Sequence, residues 1–417
     1  MTSFNQIPQT IFDLLQDSLW GRPSAPDPNT DWDSIWQELT SQTVEILALD
    51  PLVRANPANR NAYFQRTVRK LSFWYRLMSE QQSLCSLIMQ QGIPCAVLKG
   101  SAAAVYYPQP TYRTMGDIDI IVKPEDFDRV CCLLDSHGYQ VHHPADERHI
   151  AFHSNGVLIE LHRRFSVLTN EYGRQVDDAI YKALDRTDTV TLEGFSFPML
   201  PTPENGLVLL DHISHHMEHG LGLRQIIDWM LFADRELSDD LWYSDYQAAI
   251  QSIGLETLAV TTTRMCQMYL GLREDLTWCR TADEDLCREM MAYILDQGNF
   301  GRKKGLDHNR VMVILNSVQT LPALFKRLQV RGTRNWDAAK KHPWLKPFAW
   351  AYQGGRYVFR GLQRDQALQN LWQDAKESRQ QDLFLDRLGV LRHGRGFLDA
   401  APETEPAAQK DLPTVHI

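Results

Sequence analysis

Apolar residues recur at helical spacing through DWDSIWQELTSQTVEILAL and again through RKLSFWYRLMSEQQSLCSLIMQQ, with Pro51 and Pro57 between them. This periodicity predicts helices over residues 30–91. The pattern then changes. CAVL at 95–98 is a short apolar strand running into Lys99, Gly100 and Ser101, and SAAAVYY behind it is a short helix stopped by Pro108 and Pro110. DIDIIV at 117–122 alternates as a strand, PEDFDRVCCLLDSHG is a helix with Pro124 near its first turn and Gly138 just past its end, and YQVHH is a further strand.

HIAFHS, Asn155-Gly156 and VLIELHRRF predict a hairpin over roughly 149–165, because Asn-Gly is the preferred type I′ turn. Residues 170–185 read as a helix, and TVTLEGFSFPML as a second hairpin turning at Glu193 and Gly194. From Thr202 onward helical periodicity dominates. The layout is of the α+β class: an N-terminal helical region at 1–91, a mixed α/β core at 92–200, a larger helical part at 201–395 and a mobile Pro/Ala/Glu-rich tail at 396–417.

Composition changes this picture little. A chain of 417 residues favours two or three folding units, and 43% hydrophobic with 23% charged residues excludes a disordered protein. Seven cysteines without a CxxC pair suggest neither a disulfide framework nor a cysteine zinc site, and they suit a reducing compartment. The first residues lack the basic region and apolar run of a signal peptide, and no stretch is apolar enough to span a bilayer. A cytoplasmic location is the expectation.

The net charge of -9 argues against a protein that coats nucleic acid. It is unevenly spread, because residues 301–360 hold thirteen Lys or Arg against Asp307 and Asp337, a local +11 that leaves about -20 elsewhere. Trp336, Trp344, Trp350, Tyr352 and Tyr357 interleave with this block. Such a mixture can stack bases, but packing against acidic parts of the same chain is the favoured reading.

The candidate chemistry lies in the strand 117–122, where alternation puts Ile118, Ile120 and Val122 on one face and Asp117 with Asp119 on the other. Neighbouring acids repel and are tolerated when a cation sits between them. Hard oxygen ligands of this kind suit Mg²⁺. In VLIELH, Val157, Ile159 and Leu161 face the core while Glu160 and His162 face away. If this hairpin lies beside the first strand, three carboxylates converge and can hold two metals, the arrangement that clamps the attacking and leaving oxygens of a phosphoryl or nucleotidyl displacement. Gly100 and Ser101 sit between a strand end and a helix start, where free N–H groups favour phosphate, and Lys99, Arg113 and Lys123 are candidates to neutralise its charge.

LKGSAAAVYYPQPTYRTMGDIDIIV, followed about forty residues later by VLIELH, resembles the DNA polymerase β-type nucleotidyltransferase superfamily. LKG, YR and GDIDIIV with a later HGLGLRQIIDW further resemble a bacterial group known only as nucleotidyltransferase-like proteins. The similarity covers 92 to about 235 well and the C-terminal helices loosely. Fifteen residues between Ser101 and Asp117 make the loop slightly longer than usual. The resemblance implies a nucleotidyltransferase-type mixed sheet with flanking helices. It also implies that Gly100 and Ser101 carry the triphosphate, that Asp117 and Asp119 hold the metals, and that Glu160 joins them and acts as base.

The expected reaction moves a nucleoside monophosphate, AMP by default, from an NTP to an acceptor with release of pyrophosphate, using two Mg²⁺ ions. The acceptor is a small molecule, a protein or an RNA end. His162, His215, His219 and Arg224 are candidate walls of this site, and Arg224 with Asp228 an expected i, i+4 ion pair. The alternatives are a catalytically silent nucleotide- or partner-binding protein of the same fold, and a metallohydrolase on His212, His215, His216 and His219. Against the latter, the Glu of HExxH and the HD dipeptide are both missing.

Overall fold

A computed structural model describes residues 6–27, 29–143, 148–168, 170–217, 220–299, 303, 329, 332–333, 336–362 and 380–390. Strands β1 (Cys95–Leu98), β2 (Asp117–Val122), β3 (Gln140–His143), β4 (His149–Ser154), β5 (Val157–His162), β6 (Asp188–Leu192) and β7 (Phe195–Met199) form one mixed sheet. Their order across it is β3-β4-β5-β2-β1-β7-β6. The central β2 runs parallel to β5 and antiparallel to β1, while β1 and β7 are parallel. The outer pairs are hairpins. At the β4–β5 turn Asn155 and Gly156 both take positive φ, as a type I′ turn demands, and Asn155 Nδ2 donates to Glu80 Oε2 at 2.6 Å. Glu193 and Gly194 make the second hairpin turn in the same way.

Helices α1 (Gln6–Trp20), α2 (Trp32–Ser41), α3 (Leu49–Ala55) and α4 (Arg60–Met89) precede the sheet. α5 (Gly100–Ala104), α6 (Phe127–Ser136) and α7 (Glu171–Ala183) lie within it in sequence. α8 (Thr202–His216), α9 (Leu223–Glu236), α10 (Asp239–Leu241), α11 (Gln247–Ser252), α12 (Glu256–Leu270) and α13 (Glu284–Gln297) follow. Among the described residues no helix is long and apolar enough to cross a membrane.

Strand alternation sorts the apolar residues into two cores. Ile118, Ile120, Val122, Val157, Ile159 and Leu161 pack with Trp74, Leu77, Met78 and Leu84 of α4 and with Val130 and Leu134 of α6. Leu98 and Ile121, on the other face, join a larger core built from α1–α3, α8, α9, α12 and α13. Both faces are therefore covered. The acidic side of β2 is not a solvent face: Asp119 is only 4% and His162 only 3% exposed. This is the main departure from simple alternation, in which polar positions point to water, and the cause is the helical layer laid over that side.

About half of the basic block 301–360, most of it before residue 336, lies outside the described residues, as do the tail 396–417 and His219. In its described part Trp336 stacks on Tyr352 with centroids 4.8 Å apart, while Trp344, Phe348 and Trp350 are exposed.

Candidate functional site

The parallel register of β2 and β5 sets Asp119 directly beside Glu160, with Asp117 two residues along on the same side. His162 then reaches back. Its Nε2 stands 2.9 Å from Asp119 Oδ1 and 3.5 Å from Glu160 Oε2. The next strand over, β4, brings His149 Nε2 to 3.9 Å from Glu160 Oε1. From the other flank, Lys99 Nζ comes 3.0 Å from Asp119 Oδ1. Lys99 follows β1 with φ 52° and ψ −132°, a conformation that costs a non-glycine residue about 1–3 kcal/mol. The strained turn delivers its ammonium to the acids, and Gly100 continues it with a positive φ that glycine adopts freely.

The electrostatics follow from three carboxylates in one dry place. Burial, then Asp119 and Glu160, push Asp117 up to about 7, with Lys99 and Arg224 pulling the other way. Burial also opposes ionisation of Asp119, but Lys99 and His162 outweigh it and hold that carboxyl low, at about 2. For His162 burial works against the charged ring, and the Asp119 and Glu160 carboxylates overcome it, raising the group to about 9.

Such a surplus of negative charge fits a cation. Asp119, Glu160 and His162 place one ligand atom each within 4.8 Å of one another, and among the described residues no other set of three or more His, Cys, Asp or Glu side chains does so. Asp117 is not in that set, although it lies close enough for its carboxyl to feel both acids.

The other sequence candidates scatter. Ser101 is buried and its hydroxyl donates to Gln81 Oε1 of α4 at 2.7 Å. Arg113 is buried and bidentate to Asp228, through Nε at 2.8 Å and Nη2 at 2.6 Å, while the Tyr107 hydroxyl donates to the same carboxylate. The i, i+4 pair expected between Arg224 and Asp228 is not made. Asp228 takes the planar fork of Arg113 instead, and Arg224 donates to the Thr114 carbonyl at 3.0 Å. Lys123 reaches Asp185 at 2.7 Å.

On α8, His212 and His216 meet with their Nε2 atoms 2.8 Å apart, and the His215 ring lies 5.5 Å from that of His216. The i, i+4 partner expected for His215 was His219, which is outside the described residues. His215 instead lines a cavity with Lys99, Arg148, His162, Phe165, Val167, Asp211 and His212.

That cavity contains residues that sequence reasoning passed over. Asp211 sits four positions before His215 on the same helical face, and burial pushes its carboxyl up to about 7 against Ser166, Arg148 and Lys99. Asp177 of α7 accepts from the Phe165 and Ser166 N–H groups at 2.8 and 2.9 Å and so holds the loop that lines the cavity. Gly173 lets α7 lie against that loop, because a Cβ there would come 2.1 Å from the Leu168 carbonyl oxygen. The i, i+4 spacing of Asp211 and His215 is legible in the sequence; Asp177 meets the backbone of Phe165 and Ser166 across a loop, and Arg148 acts on Asp211 from a distant segment, neither of which leaves a periodic trace.

A seven-stranded mixed sheet carrying paired acids on adjacent parallel strands, closed over by helices, defines an α+β protein of the nucleotidyltransferase-like class. The chain belongs to the family described as uncharacterised nucleotidyltransferase, whose model matches residues 28–271. No curated protein matches it. Among solved structures it is similar to an antigenic nucleotidyltransferase-like protein from Paracoccidioides brasiliensis, at 14% identity over 49% of this chain and 95% of that one, with a TM-score of 0.31.

Proposed function

We propose that this chain is a metal-dependent nucleotidyltransferase acting at the cluster of Asp117, Asp119 and Glu160. The observation that carries the reading is the register pairing of Asp119 with Glu160, which crowds two buried carboxylates together with Asp117 alongside. Membership of a nucleotidyltransferase family supports it.

In the reaction an acceptor oxygen forms a bond to the α-phosphorus of an NTP, ATP by default, the bond to the departing pyrophosphate breaks, and the acceptor's proton leaves. Divalent cations, Mg²⁺ by default, neutralise the triphosphate and lower the acceptor's pKa when bound. Asp117, Asp119 and Glu160 would hold them. Glu160, less buried than Asp119, takes the acceptor's proton. Lys99, freed from Asp119, meets a phosphate oxygen. The Gly100 and Ser101 backbone offers N–H groups to the triphosphate. The cavity lined by Arg148, His162, Asp211 and His215 is the acceptor's side of the site.

Isothermal titration with ATP and Mg²⁺ tests this. Wild-type protein binds the nucleotide only with the metal, and Asp119→Asn weakens that binding by at least about a hundredfold, the upper end of what losing an outer partner of a metal ligand costs. Equal binding by the two proteins overturns the assignment.

A second reading, a silent nucleotide binder, is favoured by the engagement of Ser101 with Gln81 and of Arg113 with Asp228. Incubation of the wild type with α-labelled NTPs and cell lysate separates the two, because the silent protein transfers no label under any divalent metal.

A further inference from the structure

Oxygen-only ligand sets suit Mg²⁺, whereas an imidazole nitrogen moves preference toward the first-row transition ions. The site has such a nitrogen in place. We infer that His162 is itself a ligand, making with Asp119 and Glu160 a two-carboxylate, one-imidazole face that takes Mn²⁺ in preference to Mg²⁺. This rests on the metal-dependent reading above and sharpens the identity of its cation.

Three observations carry it. The first is spacing. Ligands about 2.1 Å from an octahedral ion stand about 3.0 Å apart when adjacent, by simple geometry from the bond length. His162 Nε2 is 2.9 Å from Asp119 Oδ1 and 3.5 Å from Glu160 Oε2, and one ligand atom of each of the three residues lies within 4.8 Å of the other two, so side-chain shifts suffice to bring all three to one ion. The second is direction. Asp119, Glu160 and His162 lie on one side of the β2–β5 pair because their positions share parity in a parallel register, so the imidazole is aimed by the backbone and not by a flexible stem. The third is the ring's anchoring. His162 is 3% exposed, its ring rests beside those of His149 and Phe165, with centroids 5.1 and 6.4 Å away, and its buried Nδ1 has no hydrogen-bond partner among the described residues, so Nε2 carries the ring's polar contacts.

The competing arrangement is a plain hydrogen bond from Nε2–H to Asp119, with the ring outside the coordination sphere. The two differ in one bond and one proton, because Nε2 gives up its proton to solvent when the ion takes its lone pair. Lys99 Nζ occupies the remaining approach to Asp119 Oδ1 and would be displaced by the ion toward the triphosphate. His149, on the far side of Glu160 at 3.9 Å, is the nearest rival imidazole.

The experiment loads the full chain with Mn²⁺ alone and reads electron spin echo modulation for a directly coordinated nitrogen. It is repeated on protein whose histidines carry the heavy nitrogen isotope, and on His162→Gln and His149→Gln. The expected result is a nitrogen coupling that changes with the isotope, survives His149→Gln and disappears in His162→Gln. The Mn²⁺ affinity of His162→Gln falls about tenfold or more, while that for Mg²⁺ stays within about threefold. The isotope comparison uses wild-type protein and so stands even if a variant fails to fold.

Mn²⁺ bound without nitrogen coupling overturns the role of His162 and leaves the carboxylate site standing. Coupling that persists in His162→Gln also overturns it. Absence of any Mn²⁺ binding, with or without a non-hydrolysable ATP analogue, overturns the metal-dependent reading together with this one.

Discussion

Two clusters of buried charge stand close together in the sequence around Arg113 and Asp117, and they are built to opposite rules. In the first, Asp228 accepts both arms of Arg113 and the Tyr107 hydroxyl, so one anion meets one cation and its hydrogen bonds are filled. In the second, Asp117, Asp119 and Glu160 crowd together among Lys99, His162 and Arg224, and the crowding shows in the carboxyl of Asp117, pushed up to about 7 first by burial and then by its acidic neighbours. A balanced buried pair holds structure. Carboxylates crowded together repel one another at some cost to the folded chain, and on the proposed reading a bound cation relieves that cost.

Breaking the balanced cluster has the largest expected effect on stability. Asp228→Ala leaves the Arg113 guanidinium buried and unpaired, which costs about 3–5 kcal/mol of unfolding free energy, measured by chemical denaturation. A loss below about 1 kcal/mol, in the range of exposed pairs, would mean that Arg113 is free to serve a ligand.

The unbalanced cluster predicts the opposite sign. Folding raises the Asp117 carboxyl above its ordinary value of 3.8, so the ionised side chain opposes folding as pH rises toward and past about 7. Asp117→Asn removes that charge. In metal-free buffer near pH 8 it gains about 0.5–2 kcal/mol of stability, typical of relieving a strained functional site, and loses cation affinity at the same time. A variant less stable than wild type in metal-free buffer would show that crowding of the three acids carries no such cost.

How much of this was readable without coordinates depended on distance along the chain. Period-two alternation put Asp117 with Asp119 and Glu160 with His162, and Asn155-Gly156 marked the hairpin, because each signal is local to a strand or a turn. The parallel pairing that sets Asp119 beside Glu160 is not legible in the sequence, since alternation says which face a residue takes and nothing about the neighbour. Sequence alone makes Arg113 a candidate for phosphate because its partner, Asp228, is 115 residues away on α9. The burial of the acidic face has the same origin, because α8 and α9 come from segments whose own periodicity says only that they are amphipathic or buried.

Asp177 sharpens the comparison from a third position, where the shortage is met mostly by the backbone. Burial pushes its carboxyl up to about 7, while the Ser166 and Phe165 N–H groups and Arg164, 3.7 Å away, work to lower it. Below about pH 4 the group is protonated in both folded and unfolded chains and contributes nothing to the pH dependence. Between there and about 7 the unfolded chain sheds a proton that the folded chain retains, so stability falls as pH rises, and above about 7 the difference is constant. Asn in its place keeps an oxygen for the two N–H groups and cannot ionise. Asp177→Asn therefore matches wild type at pH 4 and exceeds it at pH 8, by on the order of 1 kcal/mol because hydrogen bonds already offset much of the burial cost. The check is the melting temperature of both proteins across that range, and parallel curves would mean that Asp177 is ionised throughout and held by Arg164 as a closed pair like the one at Asp228.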